Sequence, residues 1–544
     1  MNANQSLYAV IKATAMKYPD RKALLFMNNA LSYSYLLDRI DRTAAGLLKQ
    51  GIKKGVVVTI CMPNIFDCVY LFYACNKIGA ICHMVHPLTP AKQMEGFLTS
   101  TDSHFLFIID TFYHSYEALM KDPTLNIVLC SPVDEFSFVK KIGYRLLNHK
   151  RLKNIHYGEH LLRFDAIIKN TEQEKKEDPL RPKETAIYLH SGGTSGKPKT
   201  IELSAFAVNS LALKTEYILD ETDFSNKTML AVLPMFHGFG LCMGVHALLC
   251  FGGSDALMPK FNALETIDLL KKNHVNYIIG VPSLFENLLS KPEFAGPHLK
   301  NLRQSYVGGD YVSPSLKNRY DELMIKWDSQ SRLLEGYGLT EVVTVCAVNT
   351  LLDYKPDSVG RPLPGLKCKI VGLESRTEQP TGELGEIAVS GATLMNGYLH
   401  DPAATSKTIT HGPEGDSWVL TGDYGFLDPE GHLHFKQRLK RIVKVSGIPI
   451  MPSEIETLVT AVPGVAEAAA VGIDDVDKGH MIKLFIRMKE PKARLDEVEL
   501  KKKIKEELSI YAVPKAIEYV PDLPHTIIGK IDTLALEARE KIGK

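Results

Sequence analysis

Residues 188–199 read Tyr-Leu-His-Ser-Gly-Gly-Thr-Ser-Gly-Lys-Pro-Lys, behind the apolar lead Ala186 and Ile187. Glycine lets backbone N–H groups approach an anion closely and reach positive φ. Such N–H nests, with hydroxyls beside them, suit phosphate oxygens. Ser191, Gly192, Gly193, Thr194, Ser195 and Gly196 supply both, and Lys197 and Lys199 add positive charge. The pattern is not G-x-x-x-x-G-K-[ST], because Ser191 stands at the first glycine and Pro198 at the closing hydroxyl. A solvated Gly/Ser turn is the other reading. The density of hydroxyls and lysines favours a phosphate loop.

On either side of this stretch, short β-branched runs alternate with helix-like segments. Val56–Met62 and Ala80–Val85 read as strands around a helix at Ile65–Ile78, and His104–Ile109 and Asn126–Cys130 continue the series. Met229–Leu233, Tyr277–Gly280 and Gln304–Val307 form a second series, with helices at Leu264–Lys272 and Ser283–Ser290. Such alternation predicts an α/β fold of parallel, helix-covered sheets. Cys368–Val371 and Glu386–Ser390 suggest a smaller β region. After Gln437 the basic residues Arg438, Lys440, Arg441 and Lys444 crowd a hinge-like stretch, and a unit of about 100 residues follows, the size of a small α+β domain. The expected division is 1–437 and 438–544.

With 544 residues, 45% of them hydrophobic and 23% charged, the chain can bury a large core. Its net charge of +1 argues against a nucleic-acid surface spread over the protein. Cys61, Cys68, Cys75 and Cys82 recur every seven residues, too far apart for ordinary zinc pairs, and read as buried free thiols. The N-terminus lacks the pattern of a signal peptide. Residues 228–254 carry no Asp, Glu, Lys or Arg, but Pro234, His237, His246 and five glycines fit strand, loop and helix better than a membrane span. Residues 139–153 hold six positive charges and no acid, interleaved with Ile142, Leu146 and Leu147. They read as a solvated surface helix or as one lying on an anionic membrane.

Further motifs follow the glycine-rich stretch: Glu335-Gly336-Tyr337-Gly338-Leu339-Thr340-Glu341, Thr421-Gly422-Asp423, Arg438-Leu439-Lys440, Pro452-Ser453-Glu454-Ile455-Glu456, and Leu523 to Lys530. In this order they resemble the adenylate-forming superfamily of acyl-CoA synthetases, peptide-synthetase adenylation domains and beetle luciferases. The resemblance spans nearly the whole chain. It implies a large N-terminal domain, a mobile C-terminal lid, and attack of a carboxylate on the α-phosphate of ATP. The acyl-adenylate formed, with release of pyrophosphate, is then displaced by a thiol. Both steps gather negative charge and need cations and N–H donors.

The resemblance also implies roles. Residues 191–199 would close over the β- and γ-phosphates, with Thr194 and Glu341 as the ligands of Mg²⁺, a cation that prefers hard oxygens. Tyr337 would face adenine and Thr340 the α-phosphate, while Gly336 and Gly338 leave room for backbone approach. Gly308-Gly309-Asp310 resembles the other adenine-side segment, although Asp310 stands where alanine is usual. Asp423 would accept from the ribose hydroxyls and Arg438 would reach the same ribose. Lys530 would bridge carboxylate and α-phosphate as a mobile point charge. Lys440 marks the hinge, and Ser446 and Gly447 would approach the thiol tunnel in the second step. His237, in Pro234-Met235-Phe236-His237-Gly238, is either a satisfied core histidine or the gate between acyl pocket and thiol tunnel. Thr200, Ala205, Gln437 and Arg441 depart from the family pattern, which puts loop and domain motion in question rather than the reaction.

Amino-acid-activating relatives place Asp where this chain has His237, and acetate-specific relatives place Trp before Thr-Glu. A medium- to long-chain fatty acid or a bulky aryl acid is therefore expected. The absence of a carrier domain after Lys544 points to coenzyme A as acceptor, with a separate acyl carrier protein as the rival. A non-catalytic acyl-AMP or ATP sensor is the reading from another class, and the presence of Thr194, Lys199, Glu341, Asp423, Arg438 and Lys530 argues against it. The expected location is cytoplasmic, with peripheral membrane contact through 139–153 as an added expectation.

Overall fold

The computed structural model describes residues 2–27, 29–169, 171–191, 198–446, 448–475, 479–525 and 531–542. Two compact units emerge. The first holds the chain up to Ser191, Pro198–Lys367 and Val389–Val419, and the second holds Cys368–Ala388 and the chain from Leu420 onward.

The first unit contains two helix-covered sheets, as the alternation predicts. In an eight-stranded sheet, Thr185–His190, Ile81–Met84, Val57–Cys61, Phe105–Ile109, Asn126–Cys130 and Leu161–Arg163 lie side by side and parallel. Thr200–Ser204 turns back antiparallel on Thr185–His190, and Gly397–Tyr398 closes that edge. The nine-stranded sheet has a parallel centre of Leu333–Gly338, Gln304–Val307, Tyr277–Gly280, Thr228–Ala231, Ser254–Leu257 and Lys22–Phe26. Its edges, Asn29–Ser32 on one side and Val345–Val348 with Arg361–Pro362 on the other, are antiparallel. The sequence pattern does not show these edges, because short hairpin returns carry the same apolar runs as parallel strands.

Helix Phe66–Ile78 is buried along its whole length. A helix apolar all round belongs in a core, which places Cys68 and Cys75 where the sequence suggests, between Cys61 and Cys82 on neighbouring strands. It ends at Gly79, φ +74°, where a Cβ would meet the Asp178 carbonyl oxygen at 2.5 Å. All nine cysteines are free, and eight are buried. The uncharged stretch 228–254 becomes strand Thr228–Ala231, a wide π-type helix Phe239–His246 and the entry to strand Ser254–Leu257. Among the described residues, no helix is long and apolar enough to cross a membrane.

One buried cation ties the N-terminal helices together. Lys77 is 1% exposed, with Nζ donating to Asp41 Oδ1 at 2.8 Å, to the Tyr8 hydroxyl at 3.1 Å and to the Glu174 carbonyl. Removing one partner of a buried pair leaves the other charge uncompensated, at a cost of about 3–5 kcal/mol. Asp41 keeps some contact with water, so Lys77→Met is expected to lose about 3 kcal/mol in urea denaturation. Adding Asp41→Asn should recover much of it. A single variant as stable as the parent would show that the pair contributes nothing.

In the second unit, the end of strand Ser417–Leu427, from Asp423 on, forms a hairpin with Leu433–Arg438. A smaller hairpin, Val443–Val445 with Ile448–Ile450, leads to helix Pro452–Thr460. Strand Gly479–Met488 pairs antiparallel with Val465–Asp475 and parallel with Ala516–Tyr519. Ile455, Val459, Ile482, Leu484, Ile486, Leu500 and Ile504 form its core.

Candidate active site

The carboxyl ends of the parallel strands in the nine-stranded sheet converge on one pocket, as expected of open α/β sheets. Its cavity volume is about 140 Å³, and it opens to solvent. Met229, Met243, Ile279, Tyr306, Val345 and Val348 line it with apolar surface, and His237, Gly309, Gly336, Tyr337, Gly338 and Thr340 line it as well. Residues more than 100 positions apart in the sequence thus meet because their strands end side by side. Asp310 is exposed and does not line the pocket; its carboxylate accepts from the Tyr311 N–H at 2.9 Å. Glu335 is also outside the lining. Its Oε2 accepts from Asn349 Nδ2 at 3.2 Å, and burial raises its carboxyl above the ordinary range.

Gly336 and Gly338 differ in what surrounds them. A Cβ on Gly336 would touch Val348 Cγ2 at an ordinary 3.5 Å, whereas one on Gly338 would lie 1.4 Å from the Thr344 carbonyl oxygen. The strand pairing shifts register between Tyr337 and Gly338, where the chains cross this closely. Just before Thr344, Val343 has φ +70°, a rare conformation for a β-branched residue. Its carbonyl oxygen would lie 1.7 Å from a Cβ on Gly238, so the turn after Glu341 is seated against the residue following His237.

Glu341 is half-buried, and its Oε1 accepts from the Tyr398 hydroxyl at 2.8 Å. The Lys199 ammonium stands 4.3 Å from the centre of the Tyr398 ring. Tyr398 therefore connects a predicted phosphate lysine to the predicted metal carboxylate. Nothing in its local sequence, a tyrosine between glycine and leucine, marks it. The base of the glycine-rich segment is clamped: Ser191 N–H donates to the Lys199 carbonyl at 3.0 Å, and Lys199 N–H to Ser191 Oγ at 3.1 Å. Gly192, Gly193, Thr194, Ser195, Gly196 and Lys197 lie outside the described residues.

Behind that base, His190 Nε2 is 2.8 Å from His83 Nε2, and its ring stacks on Phe97. Burial pushes His190 down to about 4 and His83 well below its ordinary value, so both rings are neutral at neutral pH. The Thr59 hydroxyl donates to Ser103, and it therefore accepts from His83 Nδ1 at 3.0 Å. His83 Nε2 is then the acceptor and His190 Nε2 the donor. This relay orients the residue immediately before Ser191.

In the second unit, Asp423 is buried, and its Oδ1 pairs with Arg438 Nε at 2.9 Å across the hairpin. The strand segment Thr421-Gly422-Asp423 is held by Thr421 Oγ1 donating to the Ile387 carbonyl and by Gly422 N–H donating to Glu386. Lys440 lies exposed in a tight turn, Leu439–Arg441. The neighbouring Arg441 pairs with Glu456 at 2.6 Å, and buried Gln437 accepts from Ser453 Oγ at 3.0 Å. Gln437 and Arg441, two of the four residues that depart from the family pattern, thus anchor the turn to helix Pro452–Thr460. Ser446 is exposed at φ +51°, while Gly447 and Lys530 lie outside the described residues.

Residues 11–399 match the family model for AMP-binding enzymes, and 454–530 match the model for the AMP-binding enzyme C-terminal domain. A long-chain-fatty-acid–CoA ligase of Escherichia coli is 30% identical across 99% of this chain and 95% of its own. The ATP-bound MatB of Rhodopseudomonas palustris superposes with a TM-score of 0.82 over the full length of both chains at 23% identity. An anthranilate CoA ligase in complex with anthranoyl-AMP superposes with a TM-score of 0.85, covering 100% of this chain and 98% of its own at 21% identity. These solved structures share the fold. With matching models over both parts of the chain and a relative aligned nearly end to end, this protein belongs to the AMP-binding enzyme family.

Proposed function

We propose that the chain converts a hydrophobic carboxylic acid, a medium- to long-chain fatty acid or a bulky aryl acid, to an acyl-adenylate with ATP and passes the acyl group to the thiol of coenzyme A. The observation that carries this is the pocket. Apolar side chains line it together with Gly336, Tyr337, Gly338 and Thr340. An acyl chain held against the apolar lining would bring its carboxylate near the residues proposed for the α-phosphate, so that binding energy from the chain positions the reacting atoms. His237, partly exposed on the pocket wall, is proposed as the gate toward the thiol.

Glu341 and Thr194 would hold Mg²⁺. A carboxylate with one oxygen oriented by Tyr398 is the hard donor that this cation takes, and the cation would supply charge neutralisation at the phosphates. Lys197 and Lys199 would add to it. Asp423 and Arg438 are proposed for the ribose, Lys530 for adenylation, and 438–440 for the boundary about which the domains 1–437 and 438–544 reorient.

A series of straight-chain acids tests the reading by ATP–pyrophosphate exchange. Each methylene is worth about 1–3 kcal/mol in an apolar pocket. kcat/KM should therefore climb with chain length until the pocket is filled, with amino acids and acetate far below. A flat profile would remove the apolar-pocket assignment, and absence of exchange with every acid would leave the sensor. Thioester formation with coenzyme A, but not with a free acyl carrier protein, is the expected second result.

A further inference from the structure

Helix Phe138–Leu147, continued by the turn His149–Leu152, has no buried residue. Four of its apolar side chains are strongly exposed: Phe138 at 75%, Val139 at 77%, Leu146 at 73% and Leu147 at 89%. Each residue advances about 100° around a helix, so Phe138, Val139, Ile142 and Leu146 share an arc of about 100°. Tyr144 falls about 190° from the centre of that arc. Its hydroxyl donates to the buried Asp110 carboxylate and so marks the side facing the protein. The apolar stripe therefore points away from the body, the reverse of an ordinary surface helix.

Lys141 and Arg145 flank one edge of the stripe, and Lys140, Lys150, Arg151 and Lys153 extend the positive field, with no acid between 138 and 153. Lys140 Nζ also donates to the carbonyl of Met27. An outward apolar stripe rimmed by cations is the composition that lies in the plane of an anionic bilayer. We infer that this helix docks the enzyme on an anionic lipid surface, with Phe138, Ile142 and Leu146 inserted among the acyl chains and the basic residues on the headgroups. A helix this short lies on the membrane rather than crossing it. The inference stands whichever acid the enzyme activates.

Flotation of the full-length enzyme with vesicles tests it. The expected result is binding to phosphatidylcholine mixed with phosphatidylglycerol, little binding to phosphatidylcholine alone, and weakening by salt. Each basic residue near such a surface is worth about fivefold in affinity. Lys141→Ala/Arg145→Ala/Lys150→Ala should therefore bind about a hundredfold more weakly. Leu146→Glu, within the stripe, should abolish binding while leaving the parent's activity on a water-soluble acid unchanged, since that side chain is exposed. Failure of the parent enzyme to float with anionic vesicles would overturn the proposal, as would unchanged flotation of the leucine variant. Salt-sensitive binding of an acidic carrier protein without vesicle binding would assign the helix to that partner and overturn it as well.

Discussion

Lys530→Ala is expected to lower acid-dependent ATP–pyrophosphate exchange by about 10³–10⁴-fold, or ~4–5.5 kcal/mol of transition-state stabilisation. When carboxylate and α-phosphate join, two anions approach within bonding distance, and charge builds on the phosphoryl oxygens. A fixed cation there is worth more than in water, because the closed site excludes the solvent that would screen it. The loss should fall on kcat more than on KM, since the ammonium matters most as the bond forms. The second half-reaction supplies the control. Preformed acyl-adenylate and coenzyme A should still give thioester at close to the parent rate. Exchange at the parent rate would remove Lys530 from the adenylation step. Equal loss of both half-reactions would indicate a folding defect in the small domain instead.

Gly338→Ala should abolish activity, while Gly336→Ala retains it within about tenfold. The contrast rests on these contacts: a methyl at 338 would overlap the Thr344 carbonyl oxygen at 1.4 Å, and one at 336 meets Val348 Cγ2 at 3.5 Å and the Ala347 carbonyl oxygen at 3.8 Å, both ordinary distances. To admit the methyl at 338, the strand Leu333–Gly338 must separate from Val345–Val348, and Thr340 and Glu341 move with it. A displacement of about 1 Å costs on the order of 10² in rate; Glu341 would in addition lose its register against Tyr398. Melting curves and exchange assays on both variants decide the matter. If Gly338→Ala works as well as Gly336→Ala, the close crossing at this point is not needed for the site.

Much of this was legible in sequence. The strands at Asn126–Cys130, Tyr277–Gly280 and Gln304–Val307 have the bounds that their β-branched runs predict. The helix at Phe66–Ile78 and the four regularly spaced cysteines fall where apolar continuity places them. Such features depend on near neighbours in the chain, and local pattern reports them. Tyr398 was not legible. Its contact with Glu341 joins a strand and a turn 57 positions apart that no periodicity pairs. The His83–His190 relay was equally hidden, since one histidine in an apolar strand is unremarkable until a second stands 2.8 Å away. The basic helix is an intermediate case. Composition shows its two faces, but only the Tyr144–Asp110 contact shows which face looks outward.

By itself, the amino-acid order determined the family, because the glycine-rich stretch, the Gly-Tyr-Gly-Leu-Thr-Glu segment and Thr-Gly-Asp are contiguous stretches whose order resembles one superfamily. It also determined the succession of strands and helices, which burial of apolar faces imposes locally. Only the tertiary structure decided which strand ends share a pocket, which glycine has no room for a methyl, and which side of the basic helix faces solvent. Each of these depends on side chains and carbonyls brought together from distant parts of the chain by sheet order, and sheet order is a property of the folded whole.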